Sequence, residues 1–166
     1  MTTYEVFETG RGWIAVLGSP RGIRRVTLPE PSAETAMGRL GDEADGARHD
    51  PGRFRDFARQ VVRYLDGGTG EWEVELDLAD APPFHLRAWE ACRAIPPGET
   101  RSYRWLAEAA GSPGASRAAG QAMARNRVPL VVPCHRVIGS AGELRGFGGP
   151  GLPMKARLLE MERRGS

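Results

Sequence analysis

The sequence predicts an α+β protein in which a small antiparallel sheet with a helix precedes a mostly helical domain. Short strand-like segments separated by glycine turns open the chain, whereas helical spacing of apolar residues dominates after residue 84. The segment LADAPP at 78–83 breaks both patterns and is predicted to be a linker. We therefore place an N-terminal domain at 1–80 and a C-terminal domain at 81–166.

The N-terminal domain is predicted to begin with an antiparallel meander, because GRG and SPRG turns separate three strand-like segments. These segments are Tyr4–Thr9, Trp13–Leu17 and Ile23–Leu28. In PGRFRDFARQVVRYLDGG, apolar residues recur at helical spacing, which predicts a helix between Pro51 and Gly67. The alternating segment EVELDL at 73–78 predicts a further strand.

The C-terminal domain is predicted to consist mainly of helices. FHLRAWEACRAI at 84–95 places its apolar residues on one face, so we interpret Cys92 as buried packing. Ser102 fits the N-cap of a short helix that ends at Gly111, and a second short helix, SRAAGQAMARN, follows the turn SPGA. Two short helices joined by a glycine-containing turn are typical of a helix-turn-helix, and also of any helical hairpin.

Charge is divided unevenly along the chain, although the whole protein carries only +2. Up to His85 there are 10 Arg against 15 Asp and Glu, and after it 13 Lys and Arg against 6 Asp and Glu. The two parts therefore carry −5 and +7. A basic second half on a nearly neutral protein suggests a polyanionic partner for that half, with a solvated basic face as the alternative.

Composition also excludes several classes of protein. Two cysteines cannot form a disulfide framework, and with three histidines they lack the spacing of a zinc site, so we expect neither metal nor cofactor. No stretch approaches the roughly 20 apolar residues of a membrane span, and the start MTTYEVFETG lacks the pattern of a signal peptide. We expect a soluble cytoplasmic protein without membrane partners.

The second short helix of the C-terminal half is unusually bare. Its small residues include Ala118, Ala119, Gly120 and Ala122. Small side chains let a helix backbone approach another surface closely, and close packing within the protein would explain them. Packing does not explain why Arg117 begins this helix and Arg125 and Arg127 end it. Binding in a DNA groove would explain both the small residues and the arginines, because a slim helix enters the groove while guanidinium groups contact phosphates or the base stack.

The stretch VVPCHRVIG at 131–139 contains the candidate nucleophile. A thiol with an ordinary pKa near 8.5 needs a base at neutral pH, and His135 stands beside Cys134. Neighbouring side chains often diverge, so we expect a water to carry the proton between them. For the carboxylate that orients the imidazole we choose Glu162, in the predicted final helix PMKARLLEMERR, where spacing alone would also fit a rim residue.

Four motifs in order carry a family resemblance: SYRWLAEAAG, SRAAGQAMARN, PCHRV and the glycine-rich GFGGPGL. Together they resemble the O6-alkylguanine-DNA alkyltransferases, also called methylated-DNA–protein-cysteine methyltransferases, densely over 84–164 and loosely before that. The resemblance implies a ribonuclease H-like N-terminal domain and a C-terminal domain that binds double-stranded DNA in the minor groove. It also implies that O6-alkylguanine is flipped out of the duplex and gives its alkyl group irreversibly to Cys134, once per molecule.

The resemblance also assigns roles to individual residues. Cys134 is similar to the alkyl acceptor, His135 to the base acting through water, and Glu162 to the carboxylate of the relay. Asn126 resembles the residue that braces the active-site turn, Tyr103 the one that rotates the nucleotide and donates a proton, and Arg117 the finger that fills the gap. Further implied DNA contacts are Ser102, Tyr103, Ala118, Gly120, Gln121 and Arg125. The implied pocket residues are Met123, Pro129, Val137, Phe147, Gly148 and Gly149, with Phe147 where many relatives place a tyrosine.

Two other functions fit parts of the sequence. A noncatalytic alkyltransferase-like damage sensor would bind alkylated DNA, but such proteins lack the cysteine that this chain has as Cys134. A hydrolase built on Cys134, His135 and Glu162 would turn over and need no DNA. We expect a monomer in solution, and the sequence leaves open the preferred alkyl group, activity on O4-alkylthymine and cooperative assembly along DNA.

Overall fold

A computed structural model describes residues 1–68, 70–145 and 151–165. The chain forms two compact units, Met1–Leu78 and Ala79–Ser166. The first contains a sheet with two helices and the second is mostly helical, so the predicted α+β class is confirmed. None of the helices in the described ranges is long and apolar enough to cross a membrane.

The first unit is built on a four-stranded sheet of order β3-β2-β1-β4. Its strands are β1 (Thr3–Thr9), β2 (Gly12–Ser19), β3 (Gly22–Val26) and β4 (Arg48–His49). The first three pair antiparallel, as the glycine turns predict. The fourth strand, β4, was not predicted from the sequence and pairs parallel to β1. A parallel neighbour requires a crossover connection, and strand β4 has only two residues, which is too short to give an alternating pattern.

The predicted strand at 73–78 is also wrong. Only one residue of this segment, Leu76, forms a bridge, with Ile23. Two backbone hydrogen bonds hold it, from Ile23 N to the Glu75 carbonyl (2.9 Å) and from Asp77 N to the Ile23 carbonyl (2.8 Å). Gly22 permits this approach, because a Cβ on it would lie 2.5 Å from the Glu75 oxygen. Polar and apolar residues do alternate along EVELDL, but only Leu76 of this segment pairs with β3.

Two helices complete the first unit: α1 (Ala33–Leu40) and α2 (Arg55–Leu65). Helix α1 was not predicted from the sequence, although Ser32 caps it by accepting a hydrogen bond from the Thr35 amide (3.1 Å). Helix α2 lies inside the predicted segment and buries the predicted apolar face, including Phe57, Val61 and Leu65. Burial of one apolar stripe is what holds such a short helix in place.

The second unit contains the helices α3 (Pro83–Arg93), α4 (Tyr103–Ala109), α5 (Ser116–Ala124) and α6 (Leu152–Gly165). Cys92 on α3 is fully buried, as predicted. Ser102 caps α4 by accepting from the Trp105 amide (3.0 Å), also as predicted. Helices α4 and α5 pack together and are joined through Gly111 and Gly114, which both have positive φ. This arrangement fits a helix-turn-helix, which remains a prediction.

A two-stranded parallel pair, β5 (Arg101–Ser102) and β6 (Val137–Ile138), was not predicted. Strand β5 comes directly before α4, and β6 comes directly after the PCHR sequence. Their pairing therefore fixes the start of the helical hairpin beside the turn that carries the candidate nucleophile.

Candidate active site

The candidate nucleophile lies on a braced turn. Cys134–Arg136 form one turn of 3₁₀ helix, and the chain before it is held by the Asn126 side chain. Asn126 Nδ2 donates to the Val132 carbonyl (2.8 Å), and its Oδ1 accepts from the Val128 amide (3.0 Å). Between these contacts Leu130 has φ 75°, which is an uncommon conformation for a residue with a side chain. The two Asn126 hydrogen bonds hold the backbone on both sides of Leu130 and so determine the position of Cys134.

Cys134 is only 6% exposed, so the residue is buried in the second unit. Burial raises the pKa of the Cys134 thiol, because a thiolate is poorly solvated there. A hydrogen bond with the Asn126 side chain and the positive charge of Lys155 act in the opposite direction. The thiol is therefore protonated at rest and needs a base to react.

His135 and Glu162 are brought together from positions 27 residues apart. His135 Nε2 lies 2.8 Å from Glu162 Oε2, and both side chains are almost completely buried. Burial lowers the pKa of His135, and the hydrogen bond and negative charge of Glu162 only partly oppose it. The imidazole is therefore neutral at pH 7 and able to accept a proton. The structure thus joins the two residues that the sequence analysis chose as base and orienting carboxylate.

Arg136 is a buried part of the same cluster and was given no role in the sequence analysis. Its Nε donates to Glu162 Oε1 (2.9 Å) and its Nη2 to Glu162 Oε2 (2.7 Å). Its Nη1 donates to the backbone carbonyl of Ile95, just after α3 (2.7 Å). The residue is only 4% exposed, although arginine is rarely buried. Its position inside the PCHR sequence was the only available signal.

Lys155 is a second buried cation that sequence reasoning missed. It is 1% exposed, and its Nζ donates to the carbonyls of Val137 (2.7 Å) and Arg145 (2.9 Å). Burial lowers the pKa of Lys155, while the nearby Cys134 sulfur opposes that change. A signal existed, because Lys155 precedes Glu162 by two helical turns and so lies on the same face of α6.

Tyr103 begins α4 and lies beside this cluster. The Lys155 Nζ is 5.9 Å from the centre of its ring, and its hydroxyl donates to the Arg145 carbonyl (3.2 Å). Burial raises the pKa of Tyr103, and the neighbouring Cys134 adds to the increase. The phenol therefore keeps its proton at neutral pH and can serve as a donor.

Helix α5 has one packed face and one open face. Its buried residues are Ala119, Ala122 and Met123, and Trp89 Nε1 donates to the Ala122 carbonyl (2.8 Å). Packing thus explains two of the four small residues that suggested a groove-binding helix. The side chains of Arg117, Gln121 and Arg125 are exposed along one stripe, with the partly exposed Ala118 and Gly120 beside it. The candidate DNA contacts on α5 and at its end therefore share the open face, whereas Ser102 and Tyr103 lie at the start of α4.

Comparison with known proteins identifies the family. The family model for the DNA-binding domain of 6-O-methylguanine DNA methyltransferase matches residues 83–164. A methylated-DNA–protein-cysteine methyltransferase of Mycolicibacterium paratuberculosis is 47% identical over 166 residues, which cover all of this chain and 95% of the relative. The chain belongs to the methylated-DNA–protein-cysteine methyltransferase family. The family and enzyme class predicted from the sequence are thereby confirmed.

Solved structures of methyltransferases agree with this assignment. A crystal structure of Mycobacterium tuberculosis O6-methylguanine methyltransferase is 35% identical, with a TM-score of 0.84 over 100% of this chain and 95% of that one. A structure of Mycobacterium tuberculosis OGT in complex with DNA gives the same TM-score of 0.84 at 35% identity, over 99% of this chain and 94% of that one.

The structure describes only some of the pocket residues that the methyltransferase resemblance suggests. Met123, Pro129 and Val137 are buried in the second unit. Phe147, Gly148 and Gly149 lie outside the described residues, and so does Pro150 of the same glycine-rich segment. Over the described ranges, no three His, Cys, Asp or Glu side chains come together in a way that could hold a metal ion.

Proposed function

We propose that this protein repairs DNA by taking the alkyl group of O6-alkylguanine onto Cys134 Sγ, once per molecule. The observation that carries the proposal is the buried His135–Glu162 pair, whose histidine follows Cys134 directly in the sequence of a methyltransferase-family chain. That pair supplies a neutral base next to a thiol that cannot ionise unaided.

The proposed reaction is an in-line displacement. The Cys134 proton passes through a water to neutral His135, and the sulfur attacks the alkyl carbon as the O6–carbon bond breaks. Guanine leaves with the bonding electron pair and takes a proton from the Tyr103 hydroxyl. His135 and Tyr103 then exchange protons with solvent. The product is a thioether, which is not a leaving group under ordinary conditions, so the protein does not turn over.

DNA binding is proposed to use the open face of α5. Arg117, Gln121 and Arg125 lie exposed along it, in the half of the chain that carries the positive charge. We propose that this face enters the minor groove of duplex DNA and that Arg117 occupies the stack after the damaged base is flipped. We further propose that the protein acts in the cytoplasm and is a monomer in solution.

The test is incubation with duplex DNA that carries isotopically labelled O6-methylguanine. Mass spectrometry should find a single added methyl group on the Cys134 peptide, even with excess DNA. Cys92→Ser is the matched control and should retain full transfer, because burial removes that thiol from reaction and raises its pKa. Cys134→Ser should bind damaged DNA without accepting the label.

The same experiment separates the alternative functions. Tight binding of damaged DNA with no label on the wild-type protein would indicate a damage sensor. Repeated turnover, or indifference to DNA, would indicate a hydrolase. Methyl on Cys92 would also contradict the proposal.

A further inference from the structure

Arg136 stands next to the proposed base and takes no part in the proposed displacement. Yet its guanidinium makes three hydrogen bonds of 2.7–2.9 Å, two to Glu162 and one to the Ile95 carbonyl. Two parallel bonds to one carboxylate are the geometry in which arginine recognises that group most specifically. Such a buried contact is costly to assemble, so its presence calls for a physical account.

The contact fixes how Glu162 can interact with His135. Glu162 Oε2 is shared between Arg136 Nη2 and His135 Nε2, at 2.7 and 2.8 Å. A carboxylate held ionised by a guanidinium can only accept hydrogen bonds, so the ring must donate through Nε2–H. A neutral ring that donates through Nε2 has its basic lone pair on Nδ1. Arg136, which contacts Glu162 together with His135, therefore sets the ring tautomer that is protonated on Nε2 and accepts a proton on Nδ1.

The contact also balances charge around the ring. The charged groups that act on His135 are Glu162 and Lys155, both on α6, and Arg136 on its own turn. Without Arg136, a buried anion would face the imidazole at hydrogen-bond distance, and protonation of the ring would be the nearest way to neutralise it. An imidazolium cannot accept the proton of Cys134.

We propose that Arg136 is a positioning residue for alkyl transfer, which holds Glu162 as an anion without drawing a proton onto His135, so that His135 stays a neutral base. The role rests on the proposed function, because it concerns the base of that reaction. It extends to structure as well, since the same guanidinium ties the end of α3 to α6 through the Ile95 carbonyl.

The first test reads the protonation of the ring directly, without any substrate. The chain has three histidines, so ¹⁵N NMR of the imidazole nitrogens can be assigned with a His135→Gln sample. At pH 7 we expect a neutral Nε2–H ring in the wild type and an imidazolium in Arg136→Met. The double variant Arg136→Met/Glu162→Gln should return the ring to the neutral form, because the unbalanced anion is gone. Arg157→Met, an exposed arginine on α6, is the matched control.

The second test follows the rate of transfer from free O6-benzylguanine against pH, since this substrate needs no base flipping. In Arg136→Met the acid limb should move up by at least about one pH unit, which makes transfer at pH 7 several-fold slower. In the double variant the acid limb should return, although the rate stays low without Glu162. A wild-type protein that did not react would contradict the proposed function. The NMR measurement would still show whether Arg136 keeps the His135 ring neutral.

The outcomes decide the proposal even when a variant is unstable. A neutral ring and an unmoved acid limb in folded Arg136→Met would overturn it and leave Arg136 a purely structural role. If Arg136→Met does not fold, the double variant decides. A folded double variant with a neutral ring supports the proposal, because the lone carboxylate is then what the fold cannot accommodate. A double variant that also fails to fold overturns it.

Discussion

Lys155 is the buried cation that acts most directly on the nucleophile. Its charge lowers the pKa of Cys134 against the larger effect of burial. Lys155→Met should therefore raise the apparent pKa of the thiol and slow its alkylation by iodoacetamide at pH 7 several-fold, because less of the thiol is ionised. The measurement is the rate of modification of the Cys134 peptide between pH 6 and 10.

The control for this prediction is Arg157→Met, which removes one positive charge from the exposed side of the same helix. It should leave the pH profile unchanged. A Lys155→Met profile that coincides with the wild type would show that Lys155 only anchors the carbonyls of Val137 and Arg145.

Arg117 and Arg125 lie on the same open face, but their replacement by alanine should have different effects on alkyl transfer and on DNA binding. Arg117→Ala should reduce transfer from duplex DNA far more than binding, because an arginine in the stack stabilises only the flipped state, whose unstacking costs on the order of a few kcal/mol. Transfer from free O6-benzylguanine should be nearly unchanged. The measurements are single-turnover rates on both substrates and duplex affinity at several salt concentrations.

Arg125→Ala is the matched variant and should behave as a phosphate contact. It should weaken binding to every duplex alike and reduce the salt slope by about one contact. Arg117 would have to be reassigned if its loss affected the free base and the duplex equally, since that would indicate support of the pocket or the fold.

At the residue scale, the sequence indicated a candidate nucleophile, base and carboxylate but not the buried charges around them. Cys134, His135 and Glu162 could be chosen because nucleophile, base and carboxylate follow a known logic. Arg136 and Lys155 were missed because charged residues are expected at the surface, and nothing in a linear sequence reports that they are buried. The burial of Arg136 and Lys155 can be recognised only in the folded structure, where their hydrogen-bond acceptors are known.

At the element scale, Gly120 of α5 separates packing from DNA contact. A Cβ on Gly120 would lie 3.9 Å from Tyr103 Cδ1, an ordinary contact, so the fold has room for alanine. Gly120→Ala should raise the free energy of unfolding by about 0.5–1 kcal/mol, because glycine is a poor helix former. It should nevertheless slow transfer from duplex DNA, since the added methyl group stands beside the open face. Urea unfolding and single-turnover transfer measure the two effects.

Gly38→Ala provides the comparison, because Gly38 lies in α1 and a Cβ there would meet nothing within 4 Å. It should stabilise that helix similarly without affecting transfer. Unimpaired duplex transfer by Gly120→Ala would mean that α5 does not approach DNA closely at this residue.

Elements were predictable where their signals are local. Glycine turns and apolar spacing located β1 to β3, α2 and the helices of the second unit. The parallel pairs of β4 and of β5 with β6 were not predictable, because each strand has two residues and its partner is distant in sequence. The segment 73–78 shows the converse error, since alternation indicates a strand only when a full partner is present.

At the scale of the whole molecule, His135 should make stability depend on pH. Its folded pKa is lowered by burial, so below about pH 6.5 the unfolded chain binds more protons than the folded one. The free energy of unfolding should therefore fall as the pH decreases from 7.5 to 5.5. In His135→Gln this fall should be shallower, as measured by urea titrations at each pH.

His49→Gln is the matched control, because His49 is exposed on β4. It should keep the wild-type slope. An unchanged slope in His135→Gln would contradict the neutral buried imidazole on which the proposed reaction depends.

The charge asymmetry of the sequence also gains a structural meaning at this scale. The acidic and basic parts of the chain fall largely into different units, and the candidate site belongs wholly to Ala79–Ser166. Composition could indicate which half meets a polyanion. It could not indicate that two of the positive charges, Arg136 and Lys155, are buried inside the site and unavailable to DNA.

The separation of 27 positions between His135 and Glu162 has a consequence for the newborn chain. Synthesis proceeds at about 5–20 residues per second, so the carboxylate leaves the ribosome a few seconds after the imidazole. During that interval Cys134 and His135 already exist, but the anion that orients the ring does not. The proposed Cys134–His135–Glu162 relay is therefore incomplete on the ribosome until Glu162 has been made and α6 has folded.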